Sequence, residues 1–177
     1  IGDERIEAPI VILGLPRTGT THLHNLLAEL PALRSLPYWE SLEPIPSKAV
    51  REGRAPDARR ERCAGALRLQ SLVMPLFPAM HEMTVDAPHE EIQVLAADFR
   101  TMFFEASAFV PSYGAWYREH DQTCAYRYLK RLLQALQWLR GPRRWVLKSP
   151  QHLEQIRPLL AVFPDARIVH THRDPAQ

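Results

Sequence analysis

Glycine, arginine and threonine come together in one short segment whose composition suits the binding of an anion. Residues 14–21 read Gly-Leu-Pro-Arg-Thr-Gly-Thr-Thr. The apolar run at 10–13 precedes this segment, and leucines at helical spacing follow it, which predicts a strand, a tight loop and a helix. Backbone N–H groups at such a helix start attract anions, and Arg17 adds a positive charge. The hydroxyls of Thr20 and Thr21 can donate to the same oxygens.

The two glycines of this loop, Gly14 and Gly19, have the spacing of the triphosphate-binding pattern G-x-x-x-x-G-K-[ST]. Thr20 replaces the lysine of that pattern, and no strand-end carboxylate suited to Mg²⁺ follows the late apolar strand. We therefore expect a smaller anion, such as a 5′-phosphate that carries one further group. Two alternatives stay open: a small-molecule or nucleotide kinase, and a catalytically degenerate nucleotide-binding module.

Alternating strands and helices are expected to position the loop. Strands are predicted at 10–13, 33–36, 145–147 and 167–171, and helices at 20–30, at 57–73, from about 88, at 121–141 and at 151–163. The segment 37–46 is predicted to be a loop, and Pro158 falls awkwardly inside the last helix. This order indicates an α/β, P-loop-like three-layer fold, in which helices flank a central parallel sheet and a helical insertion fills the middle. We expect one domain over 1–177, without its C-terminal segment.

Composition excludes several classes of protein. The chain has 22 Lys+Arg against 20 Asp+Glu, and the net charge of +2 argues against a general nucleic-acid-binding surface. Most of the basic residues are arginines, which suit forked contacts with phosphate or sulfate oxygens. Cys63 and Cys124 are too few for a disulfide framework. Since no apolar run is long enough for a membrane span and no signal peptide opens the chain, we expect a cytoplasmic protein, and the Arg/Ala-rich composition suggests a bacterial source.

Two motifs, one near each end of the chain, resemble those of sulfotransferases that use 3′-phosphoadenosine 5′-phosphosulfate (PAPS). The loop 16–21 resembles the family pattern P-[KR]-[ST]-G-T-T. The second block comprises Leu-Lys-Ser-Pro at 147–150, Phe-Pro-Asp-Ala-Arg at 163–167 and His-Arg-Asp-Pro at 172–175. The resemblance is strongest to the branch with tyrosylprotein and many bacterial sulfotransferases. It implies PAPS as donor and metal-independent, in-line transfer of its sulfuryl group to an acceptor hydroxyl or amine.

The same resemblance implies which residues bind the donor. The loop would hold the 5′-phosphosulfate, Arg173 would bind the 3′-phosphate with its forked guanidinium, and Lys148 would neutralise charge as the S–O bond breaks. His22 stands where many soluble members have a tryptophan that stacks on the adenine. The implied donor-binding residues are Arg17, Thr18, Gly19, Thr20, Thr21, His22 and Arg173. The chain ends before the positions of a serine and of a closing segment that the family carries after the 3′-phosphate arginine.

The acceptor hydroxyl needs a general base near the loop. Glu40 is one candidate, because it follows the first helix, where the sheet's carboxyl edge is expected, and because the resembling branch has a glutamate base in this region. His152 is the rival, since soluble members with K-T-H-L-P use that histidine, although the match requires a shift of two residues. The following residues could line the acceptor pocket: His81, Glu82, His89, Glu90 and Glu91.

Two further sequence patterns bear on the nature of the acceptor and on whether the protein holds a metal. We expect a small molecule with a hydroxyl group, and a hydrophobic one if the following residues form an apolar wall: Trp39, Met74, Phe77, Met80, Phe103 and Phe104. The pairs His22/His24 and His170/His172 lack a third ligand in register, so no metal site is expected.

Overall fold

The computed structural model of this protein describes residues 1–80 and 83–174. It consists of a parallel sheet with helices around it. The strands are β1 (Ile10–Leu13), β2 (Leu33–Arg34), β3 (Arg144–Lys148) and β4 (Arg167–His170). The helices are α1 (Thr20–Ala28), α2 (Tyr38–Leu42), α3 (Lys48–Arg51), α4 (Arg59–Val73), α5 (Phe77–Met80), α6 (Ile92–Ala96), α7 (Phe103–Ser107), α8 (Pro111–Glu119), α9 (Thr123–Arg140), α10 (Gln151–Glu154) and α11 (Ile156–Val162). His81 and Glu82, the side chain of Met80, and the last three residues lie outside this description.

The sheet has the strand order β2-β3-β1-β4, and all its pairs are parallel. Ile12 pairs with Lys148, and Leu13 pairs with His170. The carboxyl ends of β1, β3 and β4 therefore meet at one edge, where ligands bind in open α/β folds. The predicted α/β fold with a central parallel sheet and a helical middle is confirmed.

Different helices pack against the two faces of the sheet. On one face, Val11 and Leu147 belong to a core that α9 dominates through the fully buried Leu129 and Leu133. Helix α1 contacts β3 from the other face. Because side chains alternate along a strand, Lys148 points away from the core of Leu147 and toward α1. This alternation explains how a lysine at the end of a buried strand reaches the loop.

The structure corrects two predictions about local elements. The segment 37–46 is not only a loop, because residues 38–42 form α2, whose first four residues are buried. The predicted helix 151–163 is two helices, α10 and α11, which meet at Gln155. Pro158 is thereby placed in the first turn of α11, where a missing N–H costs no intrahelical hydrogen bond.

Candidate active site

The loop between β1 and α1 turns through two residues in the left-handed backbone region. Arg17 has φ 70° and Gly19 has φ 90°, and α1 begins directly after Gly19. The side chains of Arg17, Thr21 and His22 are exposed at this turn. A guanidinium, a hydroxyl and the N-terminus of α1 therefore lie within a few residues of one another, on exposed positions. This arrangement suits an anion, as the sequence predicts.

A hydrogen bond between two threonines ties the loop to the last strand. Thr18 Oγ1 lies 2.7 Å from Thr171 Oγ1 and donates to the carbonyl of Leu15 at 2.6 Å. Gly14 makes room for this contact, since a Cβ there would lie 2.4 Å from Thr171 Oγ1. Thr18 therefore braces the loop through its hydroxyl. Because Thr171 precedes His172 and Arg173, the same bond brings the two sequence motifs together.

Lys148 connects β3 to this loop through its side chain. Its ammonium donates to the hydroxyl of Thr21 at 3.2 Å and to the carboxylate of Glu90. Only 6% of the Lys148 side chain is exposed. The amino group is thus held at the first turn of α1, at the position where a bound anion would need a neutralising charge.

A buried carboxylate holds the backbone of the same lysine. Glu91 is fully buried, and both its oxygens accept from the Lys148 N–H, at 3.2 and 3.1 Å. One of these oxygens also lies 3.1 Å from His152 Nε2, and His152 Nδ1 lies 2.9 Å from the hydroxyl of Tyr126. Burial raises the pKa of Glu91, against the opposing effect of His152. The network fixes the end of β3 from within the core.

This network bears on the assignment of His152 as general base. His152 is fully buried, and both its ring nitrogens already contact Glu91 or Tyr126. To take a proton from an acceptor, the ring would have to give up one of these contacts and reach the surface. The catalytic role of His152 stays a prediction, and its geometry fits a positioning role better.

Glu40 lies in α2 and is held by two arginines. Its Oε2 accepts from Arg34 at 2.9 Å, and its Oε1 lies 2.6 Å from Arg140 Nε. Arg140 ends α9 just before β3 begins, so these contacts lie toward the amino end of β3. Lys148 is at the other end of that strand, roughly 13 Å further on at 3.3 Å per residue. The expectation that Glu40 sits with the carboxyl-edge loops is therefore not met, and its role as base stays a prediction.

Helix α2 carries a further arginine contact next to Glu40. The guanidinium groups of Arg59 and Arg140 each lie 4.7 Å from the ring centroid of Trp39. Trp39 is buried, so it is packed between arginines and does not contribute an open apolar wall. Phe103 and Phe104 pack in α7 among other aromatic rings. The predicted acceptor wall stays a prediction.

Sequence reasoning overlooked the buried partners of the site. His24, one turn into α1, is fully buried, and its pKa is lowered to about 3, first by burial and then by the charge of Lys148. The sequence marks His24 only as one half of a His-x-His pair, and it marks neither Tyr126 nor Thr171 as a site residue. Helical spacing from Thr20 could have pointed to His24, whereas nothing local marks Tyr126 or the pairing of Glu91 with Lys148. In the described residues no three His, Cys, Asp or Glu side chains are grouped to hold a metal ion.

Comparison with known proteins identifies the family and the fold. The model of a family described as "Sulfotransferase family" matches residues 9–177. Sulfotransferase STF9 from Mycobacterium avium shares 37% identity and superposes with a TM-score of 0.79, over 98% of this chain and 44% of that chain. Sulfotransferase STF1 from Mycobacterium tuberculosis H37Rv shares 33% identity with a TM-score of 0.74, over 97% of this chain and 47% of that chain.

The chain belongs to the sulfotransferase family, as the two sequence motifs predict. The fold is that of its structural neighbours. This chain spans less than half the length of both solved structures. No curated protein matches it with significant similarity. No helix within the described ranges is long and apolar enough to cross a membrane.

Proposed function

We propose that the protein is a sulfotransferase that transfers the sulfuryl group of PAPS to a hydroxyl group of a small molecule. The observation that carries this proposal is the position of the Lys148 ammonium, 3.2 Å from Thr21 Oγ1 at the start of α1. A cation held at the first turn of a helix suits an anionic group with several oxygens. Family membership adds the donor, since sulfotransferases of this family typically use PAPS.

The donor residues divide by what their side chains do. Arg17 is exposed within the loop, and its guanidinium is available to the 5′-phosphosulfate. Thr20 and Thr21 offer hydroxyls in the first turn of α1, and Gly19 supplies the left-handed turn before them. Thr18 would stabilise the conformation of the loop, because its hydroxyl is already bonded to Leu15 and Thr171.

Two further residues would bind the adenosine end of the donor. Arg173 follows β4 and is exposed, which suits the 3′-phosphate. His22 is exposed on the first turn of α1 and could stack on the adenine. When bound, PAPS supplies an activated sulfuryl group, and Lys148 would stabilise the negative charge that develops on the departing phosphate oxygen. The acceptor hydroxyl, its hydrophobic character and the cytoplasmic location stay proposals.

Calorimetric titration with 3′,5′-adenosine bisphosphate tests the donor site. We expect the full-length protein to bind the bisphosphate equally well with and without Mg²⁺, and in preference to ATP. Arg17→Ala and Arg173→Ala should each weaken binding about 10- to 100-fold, because a hydrogen bond to a charged group contributes about 1.5–3 kcal/mol. Arg51→Ala, an exposed arginine in α3, is the control. Preference for Mg-ATP would contradict the proposal and favour a kinase.

A further inference from the structure

Glu90 is the carboxylate that touches the side chain of Lys148. The ammonium is hydrogen-bonded to Glu90 on one side and to Thr21 on the other. The Glu90 side chain is 15% exposed, so it borders solvent while most of its surface is covered. The Lys148 ammonium therefore bridges the Glu90 carboxylate and the first turn of α1.

The neighbouring residue explains why Glu90 points this way. Glu91 turns into the core, where it holds the Lys148 N–H and contacts His152. Two adjacent glutamates thus contact the same lysine. Glu91 accepts hydrogen bonds from its backbone N–H, and Glu90 accepts one from its ammonium. Since Glu91 is fixed by three contacts in the core, the position of Glu90 relative to the loop is fixed as well.

The pair can exchange partners when an anion occupies the loop. Lysine carries a point charge on a flexible stem with three donors, so its ammonium can turn from one oxygen to another. An anion beside Thr21 competes with Glu90 for this charge. The carboxylate is then left close to the bound group, at the edge of the site, with an oxygen that can accept a proton.

We infer that Glu90 is the general base of the reaction, and that its ion pair with Lys148 holds the site before the donor binds. This inference rests on the proposed function. The acceptor oxygen forms a bond to sulfur while the bond from sulfur to the bridging phosphate oxygen breaks. The electron pair leaves on that oxygen of the bisphosphate, next to Lys148. The acceptor proton passes to the Glu90 carboxylate, and a sulfate ester is released.

Glu90→Gln tests this role, because glutamine keeps the size and a hydrogen bond to Lys148 but cannot take the proton. Glu61→Gln, the same change at an exposed position in α4, is the matched control. Two readouts are needed: the affinity for 3′,5′-adenosine bisphosphate by calorimetry, and sulfuryl transfer from PAPS to a series of phenols of graded acidity. Release of sulfate to water serves as the transfer readout if no phenol is accepted.

We expect Glu90→Gln to bind the bisphosphate at least as tightly as wild type, because Lys148 loses its competing carboxylate. Transfer to the least acidic phenol should fall about 10²- to 10⁴-fold, the usual contribution of a general base, and the loss should shrink as the phenols become more acidic. An equal loss with all phenols, an unchanged rate, or weakened bisphosphate binding would overturn the inference. If wild type binds no bisphosphate and transfers nothing, the proposed function fails instead, and the inference falls with it.

Discussion

The ion pairs of Glu40 make a prediction that separates a structural from a catalytic role. The carboxylate is 1% exposed and the Arg34 side chain 10% exposed, so Glu40→Leu leaves a nearly buried guanidinium without its counterion. Arg34 keeps its hydrogen bond to the Leu136 carbonyl and its position over the Trp145 ring, so it cannot simply turn to solvent. Removing one partner of a buried pair costs about 3–5 kcal/mol. We expect the free energy of unfolding to fall by this amount.

Equilibrium urea unfolding of the full-length protein is the assay, with Arg34→Met and the double variant completing a cycle. Replacing both charges removes the uncompensated ion, so the double variant should be more stable than the sum of the single losses implies, by about 0.5–3 kcal/mol. Glu43→Leu is the control, because it breaks an ion pair with Arg62 that is exposed on both sides and should change stability little.

The outcome that would refute this reasoning is specific. If Glu40→Leu unfolds at the same urea concentration as wild type while sulfuryl transfer is lost, the nearly buried Arg34 does not depend on Glu40 as its counterion. Glu40 would then act in catalysis, and Glu90 would lose its assignment as base. If stability falls and the residual folded protein transfers sulfuryl normally, the structural account of Glu40 is supported.

Two further predictions concern the loop and the helix that follows it. Gly14→Ala should destabilise the protein by about 1–3 kcal/mol, because the new methyl group would lie 2.4 Å from Thr171 Oγ1, whereas Gly2→Ala meets no atom within 4 Å; equal urea midpoints for the two variants would contradict the contact. Since burial lowers the pKa of His24 from 6.5 to about 3, the folded protein binds its proton less readily than the unfolded chain, and stability must fall as the pH drops below 6.5. Between pH 6.5 and 5 the free energy of unfolding should fall by about 2 kcal/mol through this group. Urea unfolding at several pH values measures this fall, and His24→Leu should lack it. An identical pH dependence of the unfolding free energy in both proteins would show that His24 does not titrate as argued.

Local sequence patterns are enough to predict the elements that carry the proposed donor site. The apolar run of β1, the glycines of the loop and the helical spacing of the leucines of α1 are local patterns, and each predicts its element from a few neighbouring residues. The resemblance to sulfotransferases rests on such local motifs, and the match of the family model confirms it. Glu91 shows the limit of this reasoning, because the sequence predicts only that it could line an acceptor pocket, whereas the structure buries it against the Lys148 N–H.

Which side chains meet depends on contacts between residues that are far apart in the sequence. Glu91 contacts the Lys148 backbone across 57 positions of sequence, and Thr18 contacts Thr171 across 153. Glu40 was expected at the carboxyl edge of the sheet, but the helical turn of α2 carries its carboxylate back to Arg34 and Arg140. These contacts depend on strand order, on register and on how α9 packs, which no local pattern encodes. Register decides the site for a simple reason: side chains alternate along β3, so moving its pairing with β1 by one residue would turn Lys148 away from the loop.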